Sequence, residues 1–218
     1  MKDTMREVLI GTTNPSKVRR FQLLLSKYAV KFYTPADLNI PGEPEERGRT
    51  PEENAVMKAR YYGQYFDSVI CNDSGLYFDG LALTDSRQPG LNIRTPGRMP
   101  RLNDEEMIVY YSELIRSLGG KVLAYYLDGI AVYHNHRISS YMEDADARKD
   151  GAFYMIGRPS PRRQSGWPLD SLSLNRSTLT YFVDEEDEDE DEEITSADSK
   201  NRLTDFLVSS LSLHPLKN

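Results

Sequence analysis

The chain has a single cysteine, Cys71, three histidines and one tryptophan, Trp167, in 218 residues. One thiol excludes a disulfide framework within the chain, and it fits a reducing cytoplasm best. Three histidines leave little for a soft-metal site. His134 and His136 flank Asn135, but no third soft ligand lies near them, so the trio reads as a hairpin tip rather than a zinc site. No apolar run is long enough to span a bilayer, and MKDTMREVLIGTTN lacks the apolar core of a signal peptide. The expectation is a cytoplasmic chain with no membrane partner.

A strongly basic stripe is also missing, which argues against nucleic acid as a partner. The formal net charge of −7 hides two parts: Asp184 to Glu193 is an unbroken run of ten acids, and without it 27 basic residues face 24 acidic ones, a body near +3. A run of like charge repels itself, so residues 184–198 are expected to form a flexible acidic insertion. With 39% hydrophobic residues the rest can bury a substantial core. One α/β domain over residues 1–218 is the expectation.

Thr50 to Phe78 carries most of the functional information. Thr50, Pro51 and Glu53 have the form of a capping box with proline at the first helical position. Ala55, Ala59, Tyr62 and Phe66 then recur at helical spacing, while Asn54 and Lys58, four apart, share a more polar face. Ser68 to Cys71 is a short β-branched run suited to a buried strand, and Asn72, Asp73, Ser74 and Gly75 are expected to follow it as a loop. Asp73 then falls where open α/β sheets build their sites.

Earlier in the chain, Glu7 to Ile10 reads as a strand that breaks at Gly11-Thr12-Thr13-Asn14-Pro15-Ser16-Lys17 before a helix faced by Val18, Phe21, Leu25 and Tyr28. Asn14 is a candidate N-cap. A small polar loop opening a helix presents unpaired N–H groups and a favourable dipole to an anion, and Lys17 adds a mobile positive charge. The same residues also make a sound strand-to-helix turn around a solvated lysine. Val30 to Tyr33 reads as a second strand, and Glu45 and Glu46 fall in the polar loop after it. Paired glutamates are either a solvated face or an outer magnesium ligand.

Farther on, Asp85 to Arg101 is a loop with four arginines, and Asp104 is expected to cap a helix faced by Met107, Tyr111, Leu114 and Leu118 that stops at Gly119-Gly120. Lys121 to Tyr133, Arg137 to Tyr141, Gly151 to Ile156 and Leu179 to Val183 read as strands. Leu203, Phe206, Leu207, Leu211 and Leu213 suggest a terminal helix. Trp167 is either a core anchor or a platform for a nucleobase, with Asp170 accepting from the base edge.

Three motifs occur in order: Gly11-Thr12-Thr13-Asn14-Pro15-Ser16-Lys17, Glu53-Asn54-Ala55-Val56-Met57-Lys58-Ala59, and Asn72-Asp73-Ser74-Gly75-Leu76. Together they resemble the inosine/xanthosine triphosphate pyrophosphatase family over most of residues 7–97. Pro89-Gly90 and Arg94 extend the resemblance. Gly166-Trp167-Pro168-Leu169-Asp170 is similar to the segment that family members place around the base, with Trp where Phe is usual. The resemblance implies an elongated α/β fold with a central mixed, twisted sheet flanked by helices, commonly a homodimer. It implies magnesium-dependent cleavage of non-canonical purine nucleoside triphosphates to a monophosphate and pyrophosphate. On this reading Asp73, Lys58 and Lys17 are catalytic. Thr12, Asn14, Lys17, Asn54, Ser74, Gly75, Arg94, Trp167 and Asp170 surround the substrate, and Glu46, Asp73 and Asn72 hold the magnesium. Glu53 has two candidate roles, a metal carboxylate or a helix cap.

The chain departs from the family at several places. Asn72 stands where an acid is usual, Arg20 where a glutamate is common, and Thr13 where asparagine is frequent. Near the carboxyl end, Ser196-Ala197-Asp198 or Ser199-Lys200-Asn201-Arg202 occupies the place of a Ser-His-Arg motif. These departures leave room for a catalytically weakened nucleotide-binding protein on the same fold.

Overall fold

The computed structural model describes residues 5–42, 44–144, 151–185 and 197–216. Its strands are β1 (Arg6–Ile10), β2 (Val30–Tyr33), β3 (Ser68–Phe78), β4 (Lys121–His134), β5 (Arg137–Met142), β6 (Phe153–Ile156) and β7 (Ser173–Leu174). The helices are α1 (Pro15–Leu24), α2 (Pro51–Tyr62), α3 (Asp104–Ser117) and α4 (Ala197–Leu211). The strands form a mixed sheet in the order β2-β1-β3-β4-β6-β7, with β5 also paired to β4. β1 runs parallel to β2 and β3, whereas β4 is antiparallel to β5 and β6. The expected α/β class and mixed sheet are therefore present.

The chain packs as two compact units. The first comprises residues 1–74, 128–144 and 196–218. On one face of its sheet Val8, Ile10, Ile70, Ile130 and Val132 meet Phe21 of α1, Leu25 just after it, and Leu203, Leu207 and Leu211 of α4. On the other face Leu9, Val69, Cys71 and Ala131 meet Ala55, Ala59 and Tyr62 of α2. Adjacent residues of each strand thus serve opposite helices, the alternation that a pleated strand imposes. Two alanines let α2 come close, and Gly129 does the same from the sheet: a Cβ there would fall 2.0 Å from the backbone nitrogen of Glu52.

The second unit comprises residues 75–127 and 145–195. There α3 lays Met107, Tyr111 and Ile115 on Leu76, Phe78, Ala124, Phe153 and Met155. Its N-cap is Asn103, one residue before the expected Asp104, because Asn103 and Glu106 complete a reciprocal capping box. Gly119 and Gly120 end it at φ 99° and 87°. Leu179 to Val183 is not a strand: Tyr181 makes a single bridge and Phe182–Asp184 is a turn of 3-10 helix. The expected hairpin tip is present, with Asn135 and His136 at φ 50° and 60°, the handedness a two-residue hairpin favours. Of the acidic run, Asp184 and Glu185 are described and residues 186–193 lie outside the described residues.

Candidate functional site

The largest departure from expectation lies in β3. Asn72, Asp73, Ser74 and Gly75 are not a loop after the strand; the strand continues through them to Phe78. β1 ends earlier, with Gly11 N donating to Ile70 O at 2.8 Å, so β3 carries these polar residues past the carboxyl end of its neighbour. Gly11 itself must be glycine, since a Cβ would sit 2.5 Å from the Cys71 sulfur and 2.6 Å from the Tyr62 ring. The following loop is stitched by Asn14 N to Thr12 Oγ1 at 3.2 Å and by Lys17 N to Asn14 Oδ1 at 3.4 Å, with Asn14 at the cap of α1 as expected.

Because the strand continues, Asp73 faces α2 while Asn72 and Ser74 face α1. On the α2 side Lys58 Nζ lies 3.2 Å from Asp73 Oδ1 and 2.7 Å from Glu46 Oε1. It also reaches the Asn72 carbonyl at 3.4 Å. Asn54 Nδ2 donates to Asp73 Oδ2 at 2.8 Å, and Asn54 Oδ1 accepts from Gly48 N at 2.7 Å. Burial works against the Lys58 charge, but Asp73 and Glu46 outweigh it and hold its pKa above the ordinary lysine value. Glu46 remains 46% exposed, so the cluster is open on one side.

The α1 side holds a second ionic group that the sequence reading did not include. Asp128, 3% exposed on β4, binds the Arg20 guanidinium and accepts from Ser74 Oγ, while its backbone N–H donates to Glu143 Oε2 at 2.8 Å. Glu143 adds a contact of 3.7 Å to Arg20. Burial would raise the Asp128 pKa, but Arg20 and Ser74 reverse the effect and leave it lowered. Lys17 is pushed below the ordinary lysine value by burial, with Asp128 the strongest opposing charge and Lys58 and Asp73 also acting on it. Arg20 beside a strand-borne aspartate gave no local signal, since 108 residues separate the partners. Asn72 is 2% exposed, and among the described residues neither polar atom of its amide finds a hydrogen-bond partner.

In the second unit, Arg94 donates to Asp104 Oδ1 at 2.9 Å and to the Gly166 carbonyl at 3.2 Å, while Gly166 N donates to Asp104 Oδ2 at 2.8 Å. This clamp fixes the segment that presents Trp167, which is 45% exposed. Asp170 follows in the 3-10 turn Pro168–Ser171, and burial pushes its carboxyl up to about 6. Gly75 lies under Tyr77, whose ring would stand 2.8 Å from a Cβ. Thr12, Asn14, Lys17, Glu46, Asn54, Lys58, Asn72, Asp73 and Ser74 belong to the first unit; Gly75, Arg94, Trp167 and Asp170 belong to the second.

A hard divalent ion of the magnesium type is commonly held by one or two carboxylates completed by water and phosphate oxygens. Glu46 and Asp73, two carboxylates around a single exchangeable ammonium, fit that donor set. Among the described residues no group of three or more His, Cys, Asp or Glu side chains converges. Asn72 does not join Glu46 and Asp73 in this arrangement, because its side chain lies on the α1 face.

Residues 8–121, just over half of the chain, match the model of the Ham1 family, and the chain belongs to that family. It is 34% identical over 128 residues to the dITP/XTP pyrophosphatase of Leptospira interrogans, covering 58% of this chain and 61% of that protein. It is 40% identical over 78 residues to the dITP/XTP pyrophosphatase of Bacillus subtilis, covering 35% and 39%. The matched stretch spans about 41% of the length of the dITP/XTP pyrophosphatase of Thermoanaerobacter pseudethanolicus, at 38% identity over 86 residues. The fold matches the Ham1 protein of Coxiella burnetii with TM-score 0.64 at 21% identity, over 94% of this chain and 100% of that one. The Ham1 protein of Staphylococcus aureus gives 0.63 at 19% identity, over 94% and 99%.

Proposed function

We propose that the 218 residues act as a single magnesium-dependent nucleoside triphosphate pyrophosphatase domain that cleaves non-canonical purine nucleotides, as a homodimer in the cytoplasm. The observation that carries this reading is Lys58 held between Glu46 and Asp73, with Lys17 close enough to feel both Lys58 and Asp73. Such a cluster exchanges partners when a polyanion arrives, since the ammonium can move from carboxylate to phosphate. The dITP/XTP pyrophosphatase relatives supply the substrate class.

In this mechanism Lys17 and Lys58 bind the phosphate chain, and the N–H groups of the Thr12 to Asn14 loop receive phosphate oxygens at the start of α1. Asp73 orients a water and takes its proton as the water attacks the α-phosphorus. The α–β phosphoanhydride bond breaks, and pyrophosphate leaves as the monophosphate forms. Glu46 and Asp73 would hold the magnesium, which neutralises phosphate charge and stabilises the departing oxygens. Ser74, tied to Asp128, keeps the strand in place beside Asp73. Trp167 stacks on the base and Asp170 accepts from its edge; Gly75 and Arg94 shape the surrounding segments.

The test is a panel of inosine, xanthosine and standard nucleoside triphosphates with magnesium, assayed separately for pyrophosphate and orthophosphate. Pyrophosphate in excess from the inosine and xanthosine nucleotides supports the reading, and its absence from the whole panel overturns it. A second reading, a nucleotide-binding protein with an eroded site, draws on Asn72 standing buried and unpartnered where the family usually has an acid. Tight triphosphate binding by calorimetry without turnover selects that reading.

A further inference from the structure

We propose that Asn54 is a positioning residue that makes Glu46 and Asp73 approach Lys58 as one unit. The inference rests on the pyrophosphatase reading for its consequence, but its geometry stands apart from it. Asn54 is 3% exposed on the inner side of α2, and its amide is engaged at both ends. Gly48 N–H can only donate and the Asp73 carboxylate accepts, so the amide orientation is fixed by its neighbours, with Oδ1 toward Gly48 and Nδ2 toward Asp73. An amide buried and occupied in this way does not meet the substrate. Its work is to join two pieces of chain.

Those pieces are the ones that carry the carboxylates. Gly48 sits two residues after Glu46, and its backbone is pressed onto the amide so closely that a Cβ would fall 2.6 Å from Asn54 Oδ1 and 2.7 Å from Glu53 Cβ. Glu46 reaches Lys58, Lys58 reaches Asp73, Asp73 accepts from Asn54, and Asn54 holds Gly48, which closes a ring through α2, β3 and the loop before α2. Cutting one link of the ring loosens the members on either side of it. Asn54 is the link that offers a donor and an acceptor at once. Aspartate there would keep the acceptor for Gly48, lose the donor and place a second negative charge against Asp73.

The test uses the full chain with Asn54→Ala, Asn54→Asp, Glu46→Gln and the double variant Asn54→Ala/Glu46→Gln. The first readout needs no nucleotide: tryptic cleavage after Arg47 and Arg49, both exposed, followed by mass spectrometry against cleavage after Lys121 as an internal control. Asn54→Ala should speed cleavage at Arg47 and Arg49 severalfold with the Lys121 site unchanged, and Asn54→Asp should leave all three near the wild-type rate. The second readout is pyrophosphate release. Both Asn54 variants should lose about 10- to 100-fold in kcat with a smaller change in KM, the usual cost of disturbing a residue that orients a ligand. In the Glu46→Gln background, Asn54→Ala should cost much less than in the wild type, because both changes cut the same ring. Unchanged cleavage in Asn54→Ala, wild-type kcat in Asn54→Asp, or losses that simply multiply overturn the inference. Wild-type protein that releases no pyrophosphate defeats the pyrophosphatase reading instead, and the proteolysis comparison still decides the role of Asn54.

Discussion

The two faces of β3 carry opposite kinds of ionic cluster. Toward α2, Asp73 shares a lysine with a half-exposed glutamate, so every member can change partner. Toward α1, Asp128 is enclosed by Arg20, Ser74 and the Glu143-capped backbone, its side chain 4% exposed. One residue along the strand separates them. An open cluster of long, flexible side chains suits ligand exchange, while a sealed ion pair contributes little net stability yet is costly to break. On the proposed reading the exchanging carboxylates belong to the Asp73 face and rigidity to the Asp128 face, with Lys17 between them.

The largest effect that would break this division concerns activity. Asp73→Ala should lower pyrophosphate release by about 10³-fold, within the range for a lost general base, at a cost of about 1–2 kcal/mol in urea denaturation, since Lys58 keeps Glu46 and only the Asn54 amide loses its acceptor. A matched fall in stability would move Asp73 to the structural side. Asp128→Ala should do the reverse, costing about 3–5 kcal/mol in urea denaturation by leaving Arg20 buried without its main partner. The paired change Arg20→Met/Asp128→Leu should recover most of that loss, and a failure to recover would show that the network does more than neutralise itself.

Asp170 sharpens the point, because it is a carboxylate driven by burial alone. Its folded pKa, near 6, lies above the ordinary 3.8, so the protonated form is favoured on folding and the penalty of ionisation develops as pH rises through that interval. Asp170→Asn should stabilise the protein by about 1–2 kcal/mol at pH 7.5, after allowance for solvent screening, and by almost nothing at pH 4. Asp128 has the opposite sign: its pKa is lowered, so its stabilisation is present above the unfolded carboxylate range and is lost as pH falls through the folded value. Denaturation of the Asp170 variant across pH 4 to 8, and of the Asp128 variant from about pH 5 down to about pH 2, checks the two slopes. Smaller again is Asn72→Leu, which removes two unpartnered buried polar atoms and should stabilise by about 1 kcal/mol. Loss of nucleotide turnover in that variant would show that the amide meets a ligand.

Much of this was legible locally. The cap at Thr50, the helix faces of α1, α2 and α3, the glycine stop at Gly119-Gly120 and the hairpin at Asn135 all depend on neighbours within a few residues, and sequence displays such neighbours directly. The Lys17, Lys58 and Asp73 motifs were visible for the same reason. The course of β3 was not, because Asn72-Asp73-Ser74-Gly75 has loop composition and is held extended only by the sheet around it. Hence Asn72 was paired with Asp73 in the sequence reading, whereas strand alternation separates them. Arg20 with Asp128, and Arg94 with Asp104 and Gly166, are tertiary pairs whose distance along the chain hides them.

The smallest expected effect concerns Glu53, which has two candidate roles, a metal carboxylate or a helix cap. Its backbone N–H donates to Thr50 Oγ1 at 3.1 Å, and its Oε2 accepts from Arg49 N at 2.7 Å, so the side chain reaches one residue behind the cap and helps seat the Glu46 loop. Nothing brings it to Lys58 or Asp73. As an acid in the first turn of α2 it also gains about 0.3–1 kcal/mol from the helix dipole. Glu53→Gln keeps an acceptor for Arg49 and removes only the charge, so it should cost about 0.3–1 kcal/mol in urea denaturation and leave the magnesium dependence of pyrophosphate release within about twofold. Glu46→Gln, measured alongside, should raise the magnesium requirement about 10-fold or more if the Glu46 carboxylate holds the ion as proposed. Equal shifts from both substitutions would erase the distinction between a carboxylate that builds the loop and one that the loop presents to the site.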